Sequence, residues 1–253
     1  MPTLACRLAI VLPNWLAPAN ASRHGSTLDT YLSLNLWIAL ALLALLHLLL
    51  FAGLLLRRRT ETHSFRLVEV VPMLGFALLL TFLAFRSERL WADSRYIGPD
   101  PAALQVEVTG MQFAWYFRYP GQDYAFGRSA PQFIDPSAGN PIGIDPSDSR
   151  GQDDFISSEL VLPAGREVDL HLRAQDVIHG FAIPSMRLKQ NAVPGELIHL
   201  HFTPAVPGSY AILCTQLCGL GHYRMNSTLL VLSNKEFDTW LATHSQPKTG
   251  INQ

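Results

Sequence analysis

Two long apolar stretches stand near the beginning of the chain. The first runs from Tyr31 to Leu56 and is almost wholly apolar, and the second runs from Leu67 to Phe85. At about 1.5 Å of rise per helical residue, each stretch is long enough to cross the hydrocarbon layer of a membrane. The pattern predicts a transmembrane hairpin within residues 30–90, with helices over about residues 31–56 and 67–86.

Beyond Trp91 the pattern changes to short runs in which apolar and polar residues alternate between Gly, Pro and Asp. Such runs are typical of the strands of a sandwich or barrel. Ser233 and Glu236 form a capping-box pattern that predicts a short helix over Asn234–Leu241. Strands are predicted over Leu104–Thr109, Met111–Tyr119, Glu159–Leu162, Glu167–Arg173, Phe181–Ile183, Glu196–Phe202, Tyr210–Leu213 and Ser227–Leu232.

The predicted elements divide the rest of the chain into two tails and one domain. Residues 1–29 are an N-terminal tail with an apolar run that resembles an uncleaved signal segment. Residues 91–243 form one extramembrane β-domain, and residues 244–253 form a second tail. Within the β-domain, residues 126–154 lack periodicity and are rich in Gly, Pro, Ser and Asp, which is typical of a functional surface loop or of disorder. We expect an ordered loop that contacts a partner subunit.

Composition and charge agree with a membrane anchor. The chain is 49% hydrophobic and 15% charged, which is more apolar than an ordinary soluble domain. Arg57, Arg58, Arg59 and Arg66 outnumber Glu61 between the helices, so the positive-inside rule places this loop in the cytoplasm and the β-domain outside. The formal net charge is −1, and we expect no nucleic-acid partner.

Two ionisable residues, His47 and Glu69, fall within the predicted membrane helices. Ionisable groups at membrane depth face protein or serve a function by default. We interpret His47 as packing toward a partner helix. Glu69 lies three residues before Pro72, near the start of the second predicted helix, and no role is assigned to it.

The chemistry of the chain is concentrated between Cys214 and Met225, where two cysteines, a histidine and a methionine stand within twelve residues. Thiolate, imidazole and thioether suit copper in an electron-transfer site, whereas catalytic zinc takes no thioether. The alternative is a disulfide between Cys214 and Cys218 beside a surface histidine. One loop rarely completes a metal site, and His179, at the tip between two apolar strands, supplies a distant imidazole.

The surroundings of this motif resemble one known family. Asp176–His179, Pro184–Ser185, Lys189 and Val193–Gly195 precede the pattern Cys-x3-Cys-Gly-x2-His-x2-Met. Together they resemble subunit II of cytochrome c oxidase, in an atypical bacterial form. That subunit carries the binuclear copper centre called CuA. The resemblance implies a two-helix transmembrane hairpin followed by an all-β, cupredoxin-like Greek-key sandwich.

The resemblance also implies a set of ligands for two copper ions. Cys214 and Cys218 would bridge the ions, and Asp176 is the candidate to hold an imidazole ligand in place. The family usually has a glutamate where Gln216 stands, and its side chain binds a magnesium ion shared with subunit I. A neutral amide is a weaker ligand for a hard dication, so the magnesium ion stays an open question. The six implied copper ligands are His179, Cys214, the backbone carbonyl of Gln216, Cys218, His222 and Met225.

The aromatic run Gln112–Phe117 is similar to the family segment that admits electrons to the copper loop. By offset, Phe113 takes the place of the usual electron-accepting tryptophan, and Trp115 matches a second tryptophan of that segment. Both are candidates for electron input, and the alternative for Trp115 is plain burial in the core.

Three further histidines lie on predicted strands. His199 and His201 alternate with Leu200 and therefore share one strand face, which allows a second metal site. We expect an ordinary polar outer face instead, and His171 is interpreted in the same way.

The resemblance implies that the chain accepts electrons from cytochrome c or a similar exported carrier and passes them to haem in subunit I. It would thus be part of an enzyme whose oxygen chemistry lies on another chain. Residues 90–253 carry sixteen acidic and eleven basic side chains, an excess that would attract a basic carrier. The implied location is the bacterial inner membrane, with the copper domain on the periplasmic side.

Two alternatives keep the metal but change the function. One is the CuA subunit of another respiratory complex, such as a nitric oxide reductase, and the subunit's own sequence discriminates poorly between these. The other is a membrane-tethered copper chaperone, which can also use Cys-x3-Cys with a remote histidine. Such chaperones resemble thioredoxins and would show alternating β and α elements.

Overall fold

The computed structural model describes residues 17–56, 66–121 and 123–245, of which residues 66–68 and 93–95 are described by their backbone alone. The signal-like run of the first tail, the basic loop at residues 57–65 and residues 246–253 of the second tail lie outside the described residues. The chain divides into a helical unit and a β unit, which begins at Pro99 and also includes residues 17–26.

The helical unit consists of α1, Gly25–Leu56, and α2, Arg66–Arg95. Both helices are long and apolar enough to cross a membrane, by length and composition. Both extend beyond the predicted ranges, because the apolar pattern marks only the part suited to lipid. Residues 86–95 are mostly polar and charged, and several of them are good helix formers.

Two polar contacts of the helical unit involve residues of the predicted membrane helices. The hydroxyl of Tyr31 donates a hydrogen bond to the carbonyl of Leu83, which joins the two helices. His47 is exposed on α1, and its Nδ1 lies 2.8 Å from the carbonyl oxygen of Leu43 one turn earlier. Its hydrogen-bonding need is thus met in part within its own helix.

The β unit is a sandwich of two five-stranded sheets. The first sheet has the order β3-β2-β1-β5-β8, and the second has the order β4-β10-β9-β6-β7. The pairs β1/β5 and β4/β10 are parallel and the other pairs are antiparallel. The strands are β1 Leu104–Met111, β2 Ala114–Tyr119, β3 Phe155–Ser157, β4 Leu160–Pro163, β5 Val168–Ala174, β6 His179–Ile183, β7 Leu188–Ala192, β8 Ile198–Phe202, β9 Gly208–Cys214 and β10 Asn226–Leu232.

This architecture confirms the predicted fold class, two apolar helices followed by a cupredoxin-like β-sandwich. The predicted capping box at Ser233 is also confirmed, and it starts α3, Asn234–His244. The core lies between the sheets, where alternate residues of facing strands are fully buried. They include Val106, Val108, Leu170 and Leu172 from the first sheet and Phe181, Ile183, Ile212 and Leu229 from the second.

Three details of the strand prediction are wrong. β3 was not predicted, because a strand of only three residues is too short to show an alternating pattern. β7, with the sequence Leu-Lys-Gln-Asn-Ala, was also not predicted, because this edge strand lacks an alternating apolar pattern. The predicted strand over Met111–Tyr119 is interrupted: Met111 pairs with Ala114, so Gln112 and Phe113 form the turn between β1 and β2.

Part of the predicted N-terminal tail belongs to the β unit. The amide of Ala21 donates to the carbonyl of Ser185, and the carbonyl of Ala21 accepts from the amide of Ala205. The hydroxyl of Ser22 donates to the carbonyl of Met186 at 3.0 Å. These are mainly backbone contacts, so no hydrophobic pattern in the sequence announces them.

The long loop before β3 is held by one buried arginine. Arg118 on β2 is 1% exposed and donates to Asp154, to Glu107 at 2.9 Å and to the carbonyl of Gly127 at 2.6 Å. Burial raises the pKa of Asp154, although the Arg118 guanidinium acts against this. The loop is therefore ordered by contacts with the outer face of the first sheet.

We predict that Arg118→Met lowers the unfolding free energy by about 3 to 5 kcal/mol, because it leaves buried carboxylates without their cation. Thermal unfolding of the purified full chain in detergent measures this. The matched control is Arg128→Met, which removes an arginine with a 69% exposed side chain from two carboxylates and should cost less than about 1 kcal/mol. Equal losses in the two variants would contradict the assignment of Arg118.

Candidate metal centre

The predicted ligand loop connects β9 to β10. Asn226 pairs with Leu213 across these strands, and the amide of Cys214 donates to the carbonyl of Met225 at 3.1 Å. Both ends of the loop are thus tied together at its base. Residues 215–225 form a closed loop in which the predicted ligands lie close together.

The donor atoms of this loop surround the sulfur of Cys218. Its Sγ lies 3.9 Å from Cys214 Sγ, 3.6 Å from His222 Nδ1 and 3.8 Å from Met225 Sδ. Cys214 Sγ in turn lies 3.2 Å from the carbonyl oxygen of Gln216. A disulfide needs its sulfurs about 2.05 Å apart, and both cysteines are free, so the alternative of a disulfide is wrong.

His179 brings its ring to the same place from another strand. It is the first residue of β6, not part of the connection before that strand as predicted, and it is fully buried. Its Nε2 lies 2.7 Å from Asp176 Oδ1, while its Nδ1 is buried without a hydrogen-bond partner. The ligand atoms of His179, Cys214 and Cys218 all lie within 4.8 Å of one another. A buried nitrogen without a partner is costly, and a metal ion would satisfy it.

Asp176 ties the histidine to two backbone segments. One carboxylate oxygen faces His179 and accepts from the amide of Val177, and the other accepts from the amide of Gln112 at 2.7 Å. Burial opposes ionisation, but these hydrogen bonds prevail and lower the pKa of Asp176. Because a carboxylate only accepts, the ring must donate from Nε2, which leaves the lone pair on Nδ1 available to a metal ion.

The thiol of Cys218 does not ionise readily in the absence of a cation. Burial and the neighbouring Cys214 raise the pKa of Cys218 to about 11. Metal ligation requires the thiolate, so the positive charge that this cluster needs must come from the bound ion. Three sulfur donors, two imidazoles and a carbonyl oxygen form a soft set that fits copper and is unsuited to magnesium or calcium.

Two residues of the centre were missed by sequence reasoning. Gln112 donates from its side chain to the carbonyl of Cys218 at 2.5 Å, and no pattern in the sequence indicates this contact. At Gly180, a Cβ atom would lie 2.7 Å from the backbone nitrogen of Gln216. The position of Gly180 directly after a predicted ligand was a signal that a close backbone approach was needed.

The two predicted electron-input residues lie in different environments. Phe113 is 36% exposed, and its ring lies against Gly219 and Gly221 of the ligand loop. Trp115 is only 2% exposed, with its ring centroid 5.9 Å from that of His179 and 5.1 Å from that of Phe181. Trp115 is therefore a core residue that contacts a predicted ligand, and Phe113 is the surface residue of the pair.

The outer rim of the centre is apolar. Leu217, Leu220 and Tyr223 are at least 78% exposed, although large apolar side chains are usually covered. Arg224 is the one charged residue between Cys214 and Met225. The acidic excess of the β unit therefore lies outside this rim.

Comparison with known proteins gives one consistent result. The family model described as cytochrome C oxidase subunit II, periplasmic domain, matches residues 104–231, about half of the chain. An alternative cytochrome c oxidase subunit 2 of Bradyrhizobium diazoefficiens is 38% identical over 141 residues, which cover 55% of this chain and 50% of the relative. Cytochrome c oxidase subunit 2 of Synechocystis is 35% identical over 157 residues, which cover 62% of this chain and 37% of the relative.

Among solved structures, the periplasmic domain of subunit II of cytochrome oxidase from Bradyrhizobium japonicum is similar to this chain. The identity is 27% and the TM-score is 0.43, over 58% of this chain and 96% of that one. The two curated relatives above are longer, and the match with this chain covers about half or less of their length.

We predict that Asp176→Asn weakens copper binding by about 10- to 100-fold, because the amide no longer fixes the tautomer of His179. Competition with a copper chelator, followed by metal analysis of the full chain, measures this. Glu196→Gln removes one negative charge from an exposed position and should leave the affinity unchanged. Equal affinities in the two variants would mean that Asp176 does not position the ligand.

We predict that Gly180→Ala displaces the ligand loop, because its Cβ would meet backbone atoms of residues 215 and 216. Overpacking of this kind costs about 1 to 3 kcal/mol of stability, and we expect less copper bound per chain. Gly98→Ala is the control, since a Cβ there meets nothing within 4 Å. Full copper loading of Gly180→Ala would show that the loop tolerates the shift.

Proposed function

Since the chain belongs to the cytochrome c oxidase subunit II family, we propose that it is the electron-accepting subunit of a respiratory terminal oxidase. One observation carries this proposal: the donor atoms of Cys214, His222 and Met225 surround Cys218 at hydrogen-bonding or van der Waals distance, and the unpartnered Nδ1 of His179 lies beside them. As a subunit of cytochrome c oxidase the chain would be part of an enzyme, with oxygen reduction on another chain.

We infer that six groups hold a binuclear copper centre: His179, Cys214, the carbonyl of Gln216, Cys218, His222 and Met225. When bound, two copper ions held by these groups would supply a one-electron carrier whose ligands need little rearrangement on reduction. The protein contributes fixed positions for these ligands. Asp176 orients one imidazole, and the buried ring of Trp115 excludes water behind it.

We propose that the electron carrier docks at the exposed rim of Leu217, Leu220 and Tyr223. Its apolar surface suits a short contact with the exposed haem edge of cytochrome c or a similar exported carrier. The acidic excess elsewhere in the β unit would attract such a basic partner over a longer range. Phe113 is partly exposed and its ring lies against the ligand loop, so we prefer Phe113 to Trp115 as the residue through which electrons enter.

We further propose that α1 and α2 anchor the chain in the bacterial inner membrane, beside subunit I. The basic residues between the helices would face the cytoplasm, which places the copper domain in the periplasm. Electrons would then leave the centre toward haem in subunit I. The replacement of the family's glutamate by Gln216 leaves the magnesium ion at that interface an open point of the proposal.

The copper-chaperone alternative is disfavoured by the architecture of the β unit. Between β1 and β10, the described residues contain single 3₁₀ turns and no α-helix, so the alternation expected of a thioredoxin-like protein is absent there. A CuA subunit of another respiratory complex would need the same ligands. The haem protein that copurifies with the full chain distinguishes these two complexes.

We predict that the copper-loaded full chain, purified in detergent, gives a seven-line hyperfine pattern in electron paramagnetic resonance. Such a pattern arises when one unpaired electron is shared equally by two coppers. Cys214→Ser and Cys218→Ser should abolish it, because each removes one of the two thiolates proposed to hold both ions. The control, Cys6→Ser, changes the third cysteine of the chain and should leave it intact. A four-line pattern in the unaltered chain would refute the binuclear centre.

A further inference from the structure

A second group of metal-binding side chains lies on the outer face of the first sheet. His171 on β5 pairs directly with His199 on β8, so their side chains project from the same face. Asp169 stands two residues before His171 on β5 and therefore faces the same side. The three residues come from one pair of adjacent antiparallel strands, which is a rigid support for a site.

The three ligand atoms converge on one point. Asp169 Oδ2 lies 3.1 Å from His171 Nε2 and 2.8 Å from His199 Nδ1. Two ligands bonded to one tetrahedral zinc ion at about 2.0 to 2.1 Å stand about 3.3 Å apart. The observed spacings are slightly shorter, and small side-chain rotations would admit an ion. All three atoms lie within 4.8 Å of one another.

The carboxylate of this group is buried and incompletely satisfied. The Asp169 side chain is 4% exposed, and its Oδ1 is buried without a hydrogen-bond partner. The His171 side chain is 13% exposed and the His199 side chain 49% exposed. The cluster is therefore closed on the protein side and open toward solvent beside His199, where a water molecule would have access.

Neighbouring charges do not oppose a cation at this position. The nearby guanidinium of Arg118 is neutralised by Asp154 and Glu107, and Arg173 also lies within ion-pair distance of Glu107. The ring of Phe126 stands 5.8 Å from that of His171 and covers one side of the group. Hydrogen bonds from both histidines outweigh burial and lower the pKa of Asp169, so it is ionised.

We propose that Asp169, His171 and His199 bind a divalent transition-metal ion of the zinc class, at a site separate from the copper centre. Two imidazoles and one carboxylate, with an open position for water, are a donor set that zinc accepts. The copper ligands lie on the second sheet and its loops, and the new group lies on the first. The sequence predicts an ordinary polar outer face here, and the proposal goes beyond that expectation.

Neutral histidine can serve this site after a change of tautomer. In the metal-free chain both ring nitrogens donate to Asp169, since a carboxylate only accepts. On binding, each ring carries its proton on the other nitrogen, and the two lone pairs turn to the ion. His201 stands opposite Asp169 on the same face. Its Nδ1 lies 3.2 Å from Glu167 Oε1, and it is outside the group of three residues whose ligand atoms lie within 4.8 Å of one another.

The test uses zinc alone as the probe. The protein is the full chain in detergent, carrying both Cys214→Ser and Cys218→Ser. These two substitutions remove the thiolates that would also bind zinc. We expect one zinc per chain by equilibrium dialysis and metal analysis. His199→Gln should weaken this binding by about tenfold or more. The matched control is His201→Gln, which removes a histidine from the same strand face and should leave zinc binding unchanged.

A second measurement keeps the test independent of the cysteine variants. The copper-loaded chain with both cysteines intact should also bind one zinc ion. Because zinc binds the folded chain, it should raise the melting temperature of the protein by mass action. The same rise is expected for His201→Gln and its loss for His199→Gln. Absence of stoichiometric zinc in both preparations, or equal binding by the two histidine variants, would overturn the proposal.

Discussion

The antiparallel pairing of β6 with β9 is the interaction on which the metal centre depends. Phe181 stands opposite Cys214, and the amide of Thr215 donates to the carbonyl of Gly180 at 2.8 Å. This register places His179, which begins β6, beside the loop that follows β9. A slip by one residue would turn the histidine to the other face of the sheet. The backbone ladder therefore positions groups that lie far apart in the chain.

Polar groups then refine what the sheets place approximately. Asp176 connects the ring of His179 to the turn between β1 and β2, and Gln112 in that turn reaches the carbonyl of Cys218. The ligand loop is thus held from both sheets. These contacts lie at the end of a core of fully buried side chains, where a displaced ligand would meet close-packed neighbours. Such rigidity would suit the proposed copper centre, whose ligands would need to move little on reduction.

The outer face of the first sheet is built on a different principle. There, buried Arg118 joins Asp154 and Glu107 and holds the long loop, while Asp169 draws two histidines toward one carboxylate. Buried charges are tolerated only when paired, so each anion on this face gathers cations or hydrogen-bond donors. The same requirement explains why the loop is ordered and why His171 and His199 both lie against Asp169.

Hydrophobic periodicity and ligand spacing are local properties of the chain, so the two apolar helices, the succession of short strands and the family motif could be predicted from the sequence. The identity of the copper ligands was predicted as well and stays a prediction. The burial of Trp115, the contacts of residues 21–23 with the β unit and the hydrogen bond from Gln112 to the ligand loop became visible only in the folded structure. Those features depend on strand register and on contacts between residues distant in sequence, for which no local pattern exists.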